Sequence, residues 1–136
     1  MHLARVQHGE DIFWCVGEAD QTSARRISAA FSDWAPAVTA GAGLAALGCV
    51  DAPIPVEDLT FLAPHDPLAR VVVAGANYSK HLTEFGVPQV SAPFAFLKAN
   101  GALIGAHEDI RYPPLTEKLD YEVELVDIEP RRLTTV

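Results

Sequence analysis

"RVVVAGANYSKHLTEFG", residues 70–86, opens on three consecutive β-branched residues and then changes character. Val71–Val73 predict a strand, since branched side chains suit a pleated surface. The run does not alternate apolar with polar, which predicts burial on both faces. Gly75 is where the chain is expected to turn, having no Cβ to obstruct it. The part that follows, "NYSKHLTEFG", predicts a short helix closed by Gly86. On such a helix His81 and Glu84 stand three apart, on one side. A carboxylate beside an imidazole can orient the ring and favour its protonated form. The pair could then draw a proton from water or from an enolisable carbon. An ordinary solvent-facing ion pair has the same spacing.

Upstream of this stretch, Pro53, Pro55, Pro64 and Pro67 mark an extended, turn-rich connection, with a module boundary expected near residue 66. Residues 1–66 form the small N-terminal module. In it "LARVQHGEDIFWCVGEAD" predicts strand, turn at His8–Asp11, and strand. Thr22 or Ser23 is a candidate N-cap for a helix over "ARRISAAF". The run "WAPAVTAGAGLAALG" predicts another short helix ending at Gly48. Gly41 and Gly43 weaken it, at about 1 kcal/mol each relative to Ala.

Downstream, "FAFLKA" predicts a strand and "GALIGAHEDIRYP" a turn, a short strand and a proline stop. "KLDYEVELVDI", residues 118–128, alternates firmly and predicts another strand. The fold class is therefore α+β and mainly β: a small α/β module, then a mostly β segment over 67–136.

In that last predicted strand Asp120, Glu122 and Glu124 share one face, while Leu119, Tyr121, Val123 and Leu125 share the other. Alternate positions are about 6.5 Å apart, from which neighbouring carboxylates can converge on one ion. Without a cation their repulsion would raise their pKa values and weaken the fold. A hard divalent cation such as Mg²⁺ resolves that conflict and commonly takes one or two carboxylates plus substrate oxygens. A strand with one wet face presents the same alternation.

Composition bounds the function classes. The apolar fraction is 49% and the formal charge −8. Eight acids stand between Glu108 and Glu129 against Arg111 and Lys118, which repels a phosphate backbone and argues against nucleic acid. No stretch approaches the roughly 18 apolar residues of a membrane span. The N-terminus lacks the apolar core of an export signal. Two cysteines, Cys15 and Cys49, imply no disulfide framework; both read as packing residues, and a reduced cytoplasmic setting is expected. Lys98 is either a strand-end lysine or a contact for a substrate carboxylate. His107-Glu108 has no second histidine at zincin spacing. His2, His8 and His65 have no partner visible in sequence. Neither GxxxxGK[ST] nor GxGxxG occurs, so nucleotide binding has no support.

Taken in order, "VVVAGANYSKHLTEFG", "PFAFLKANGALIG" and "LDYEVEL" resemble the fumarylacetoacetate hydrolase superfamily, whose G-x-N-Y-x-x-H-x-x-E, F-L-K and E-x-E segments occur in this order at similar separations. The leading "LARVQHGEDIFWCVGEAD" is similar to the small first module of bacterial members of the 2-hydroxyhepta-2,4-diene-1,7-dioate isomerase-like type. The resemblance implies a mixed β-sandwich roll around a metal, usually in a homodimer. It implies Mg²⁺ or Mn²⁺ held by Glu122 and Glu124, and His81 with Glu84 as the proton-transfer dyad. Tyr78 and Lys98 are the implied substrate contacts. The implied substrate is a 2-oxo or 1,3-dicarbonyl acid, turned over by C–C hydrolysis, decarboxylation or enol–keto isomerisation in aromatic compound catabolism.

The chain also departs from the family pattern. The third acidic ligand and a catalytic lysine belong well beyond E-x-E, and no position after Glu124 matches them. Asp127 is too close and falls on the other strand face. "FLKAN" stands where "FLKP" is common, and "VDIEPRR" breaks an expected apolar run. A truncated, inactive member is the expectation. A non-catalytic accessory module, or a split enzyme completed by a partner chain, are the alternatives.

Overall fold

The computed structural model describes residues 1–128. It falls into two compact units: Met1–His65 with the residues from Ile104 onward, and Asp66–Leu103. Both sheets are antiparallel and strand outweighs helix, so the fold is α+β and mainly β. Among the described residues no helix is long and apolar enough to cross a membrane.

In the first unit β1 (Leu3–His8) and β2 (Asp11–Gly17) form the expected hairpin, in register from Leu3↔Val16 to His8↔Asp11. Its loop is Gly9-Glu10, with Gly9 at φ +61°. Glycine at the first of two loop positions lets the turn follow the right-handed twist of the strands.

The helix expected over "ARRISAAF" does not form. Ser23–Ile27 is β3, laddered to β2 on one side and, through an irregularity between Ala24 and Arg26, to β4 (Cys49–Pro55) on the other. The three-residue interval from Ala24 to Ile27 reads as one face of a helix. In a strand it puts the two on opposite faces. Both are buried, Ala24 in a core with Val6, Phe13, Cys15 and Leu59, and Ile27 in a core with Val16, Trp34, Ala35 and Leu47. A sheet covered on both faces loses simple alternation, and so the sequence misled. Between them Arg25 pairs with Glu18. Arg26 reaches Asp11 at 3.4 Å and lies 4.8 Å from the centre of the Phe13 ring.

The Ala/Gly-rich run divides as its glycines suggest. α1 covers Phe31–Thr39 with Pro36 inside it, and a 3₁₀ turn over Leu44–Leu47 ends at Gly48, left-handed at φ 57°. The proline-rich stretch, expected as a connection, is β4 (Cys49–Pro55) followed by β5 (Thr60–Phe61). The strand order is β4-β3-β2-β1-β5. β4 lies at the edge, where Pro53 and Pro55 cost no ladder bond on the open side.

From Ile104 to Ile128 this unit contains no helix or strand. The short strand expected near Leu103–Pro113 and the strand expected over Lys118–Ile128 are both irregular chain. Tyr121, Val123 and Leu125 are 83%, 88% and 90% exposed. A strand exists through hydrogen bonds to a neighbour, and among the described residues no strand pairs with this segment. Glu129 and Pro130, read above as breaking the run, lie outside the described residues.

In the second unit β6 (Val71–Gly75) and β7 (Phe94–Lys98) pair from Val71↔Lys98 to Gly75↔Phe94. Burial along β6 alternates between half-buried and exposed, and Val72 is 58% exposed. The expected burial on both faces is therefore corrected: a two-stranded sheet has too few strands to support a layer on each side. α2 (Ser79–Glu84) follows β6, with Leu82 its buried residue.

Candidate functional site

The chain enters α2 by a different device from the one the sequence suggested. Gly75 stays extended in the ladder, and Ala76 adopts the left-handed φ of 53°. Gly75 is required for space. A Cβ there would stand 2.4 Å from the Phe94 ring, which lies across it. Ala76 bears the strain, on the order of 1–2 kcal/mol for a residue with a side chain. The reversal delivers Tyr78 to the N-cap position of α2, where its own side chain makes no cap bond.

His81 and Glu84 occupy α2 as expected, three residues apart and exposed. The His81 imidazole meets the Phe85 ring, with ring centroids 4.8 Å apart and an interplanar angle of 62°. The sequence reading missed this contact, although the i, i+4 spacing of His81 and Phe85 signals it. Lys98 closes β7 opposite Val71, exposed. Asn100, just beyond it in "KAN", donates from Nδ2 to the carbonyls of Pro67 and Ala69, each at 3.1 Å. The carboxamide thus ties the exit of β7 to the approach of β6. Beside the strand end lies a cavity of about 290 Å³, walled by Ala74–Asn77 and by Gln89, Ser91 and Phe94.

Glu122 and Glu124 lie in the first unit, on the exposed irregular segment. Their oxygens are hard donors of the kind Mg²⁺ and Mn²⁺ prefer, and two carboxylates suffice for a cation that keeps waters and adds substrate oxygens. Among the described residues no group of three or more His, Cys, Asp or Glu is gathered as a metal cage. The donor chemistry of the two carboxylates suits the cation, with no third ligand gathered beside them among the described residues.

Neither cysteine belongs to this chemistry. Cys15 is buried, which pushes its thiol up to about 11 despite a backbone hydrogen bond with Ala4. Cys49 is exposed on the edge strand.

Residues 70–136 match the family described as fumarylacetoacetate (FAA) hydrolase C-terminal. A Bos taurus protein named oxaloacetate tautomerase FAHD2A, mitochondrial, is 37% identical over 79 residues, 58% of this chain and 25% of the relative. The Homo sapiens protein of that name is 36% identical over 72 residues, 53% of this chain and 23% of its own length. An uncharacterized protein of Archaeoglobus fulgidus is 33% identical over 72 residues, 53% and 28% of the two chains. The chain thus spans about a quarter of the length of the curated relatives it matches. These likenesses support the fumarylacetoacetate hydrolase superfamily.

Proposed function

We propose that this chain is part of a fumarylacetoacetate hydrolase superfamily enzyme acting on a 2-oxo acid, with enol–keto interconversion the favoured reaction. One observation carries the reading: the family match over 70–136 contains the His81/Glu84 helix, the Lys98 strand and the Glu122/Glu124 pair in order. The relatives' name, oxaloacetate tautomerase, favours isomerisation over C–C hydrolysis or decarboxylation of a dicarbonyl acid. The bacterial 2-hydroxyhepta-2,4-diene-1,7-dioate isomerase-like type is another form of the same proposal. A homodimer of the full-length protein is part of it.

Glu122 and Glu124 are the residues that would hold Mg²⁺ or Mn²⁺, and the bound ion supplies Lewis-acid polarisation of the oxo group. The rest belongs to side chains of this chain. Lys98 offsets the substrate carboxylate in a protein whose net charge of −8 otherwise repels it. Tyr78 offers a hydroxyl to a substrate oxygen. His81 gives a proton to the carbon next to the carbonyl while the enol oxygen releases its own. Glu84, one turn along, takes up that second proton and returns the pair to its starting state.

The test is Mn²⁺ binding to the 136-residue chain, followed by the loss of the free-ion electron paramagnetic resonance signal. Oxalate serves as a stable stand-in for a planar oxo-acid. Mn²⁺ binds, Mg²⁺ competes, oxalate tightens binding about tenfold by adding two oxygen ligands, and the E122Q/E124Q double variant removes all three effects. A flat response to metal, or one that the double variant leaves unchanged, overturns the proposal in favour of an accessory module.

A further inference from the structure

We infer that Phe85 is a positioning residue for His81, its ring helping to hold the imidazole in one orientation at the end of α2. The inference rests on the proposed proton-transfer role of His81 and deepens it.

Four observations meet at this residue. The two rings lie at the separation and tilt at which aromatic pairs attract. The backbone of Phe85 is fixed where α2 ends. Gly86 N–H donates to the Thr83 carbonyl at 3.1 Å and Val87 N–H to the Leu82 carbonyl at 2.9 Å, around Gly86 at φ 64°. That pair of bonds is the Schellman closure, which satisfies the last carbonyls of a helix and pins the residue before its glycine. Phe85 N–H itself donates to the His81 carbonyl at 3.2 Å, so the two residues are tied through backbone and through rings. Finally, Leu82 is 6% exposed while Phe85 is 65% exposed. Leu82 anchors α2, and the Phe85 ring is spent on the imidazole and not on a core.

The mechanical need is plain. A proton-transferring group works within about 0.5 Å and 10–20° of its productive geometry. A histidine side chain has two rotatable bonds, and each must be set for the ring to work. A neighbouring ring one turn away removes much of that freedom without touching substrate.

The experiment compares Phe85→Leu, which keeps an apolar side chain but loses the ring, with Phe85→Tyr, which keeps the ring. In proton NMR of the 136-residue chain, the His81 ring protons lie upfield of those of His2, His8, His65 and His107 through the ring current of Phe85. Phe85→Leu loses that displacement and Phe85→Tyr retains it. In parallel, His81 acylation by diethylpyrocarbonate, read by mass spectrometry, speeds up about threefold to tenfold in Phe85→Leu and not in Phe85→Tyr. Exchange of the Gly86 and Val87 amides reports whether α2 still closes in each variant. Unchanged His81 resonances and reactivity in Phe85→Leu overturn the inference. So does equal loss in Phe85→Tyr with α2 intact. None of these readouts involves metal or oxo-acid, so failure of the proposed function leaves them readable.

Discussion

Replacing Gly75 by alanine tests how the hairpin carries α2. The added Cβ would stand 2.4 and 2.6 Å from two carbons of the Phe94 ring, distances that real Cβ atoms do not tolerate. The backbone is held by the Gly75↔Phe94 pairing, so the ring must swing out. Phe94 is 57% exposed, so somewhat under half of its surface is covered. For an aromatic side chain of roughly 200 Å² that amounts to about 90 Å², or about 2 kcal/mol at 25 cal/mol/Å². A loss of this size, borne by a two-stranded sheet of marginal stability, raises its open population about thirtyfold. Native-state hydrogen exchange reads it directly. The ladder amides of β6 and β7 lose about thirtyfold in protection, while those of β1 and β2 keep theirs. The double variant Gly75→Ala/Phe94→Ala is no worse than Phe94→Ala alone, because the clash has gone with the ring. Equal protection in Gly75→Ala and the parent chain, or simple additivity in the double variant, would refute the steric argument.

Three further outcomes follow from the first unit. Leu47 is fully buried, and Leu47→Ala costs about 2–5 kcal/mol in chemical denaturation followed by tryptophan emission, since Trp14 and Trp34 border the same core. Iodoacetamide at pH 8 labels Cys49 in the native chain and Cys15 only after denaturation, as mass spectrometry of the two peptides will show. The raised Cys15 thiol also makes stability pH-dependent in one direction. Its folded value of about 11 exceeds the ordinary thiol value of 9.0, so the stabilisation is complete below pH 9 and is lost as pH rises toward 11. Cys15→Ala removes that slope from the denaturation midpoint; a slope of the same size in both proteins contradicts it.

What could be read from sequence was what the sequence decides locally. Gly9-Glu10 between two strand-like runs carries its own turn geometry, and "NYSKHLTEFG" carries a helix with its glycine stop, so the first hairpin and α2 were legible. The family resemblance over 70–136 was legible too, because a motif is fixed by order along the chain. What failed depended on partners distant in sequence. Ser23–Ile27 is a strand because β2 and β4 flank it and each sheet face has a core, neither of which shows in five residues. Gly75 was read as a turn when its smallness serves Phe94, nineteen positions on.

The acidic segment makes the distinction sharpest. Alternation in "LDYEVEL" records two environments, one wet and negatively charged, the other apolar and requiring cover. It does not record a neighbour. Hydrogen bonds to a neighbouring strand are what hold a chain extended, and without one the pattern has no backbone geometry to enforce it. Tyr121, Val123 and Leu125, almost fully exposed, show the apolar face uncovered among the described residues. Glu122 and Glu124 are exposed on the same segment, and their relation to any cation is set by whatever orders this backbone. A ligand that bridges both carboxylates will therefore act on conformation as well as on charge. Mn²⁺ with oxalate should slow amide exchange across Asp120–Leu125 in the parent chain and leave it unchanged in E122Q/E124Q. If exchange there is insensitive to the ion while binding is measurable, the glutamates hold it as a loose surface pair, and the alternation reflects solubility alone.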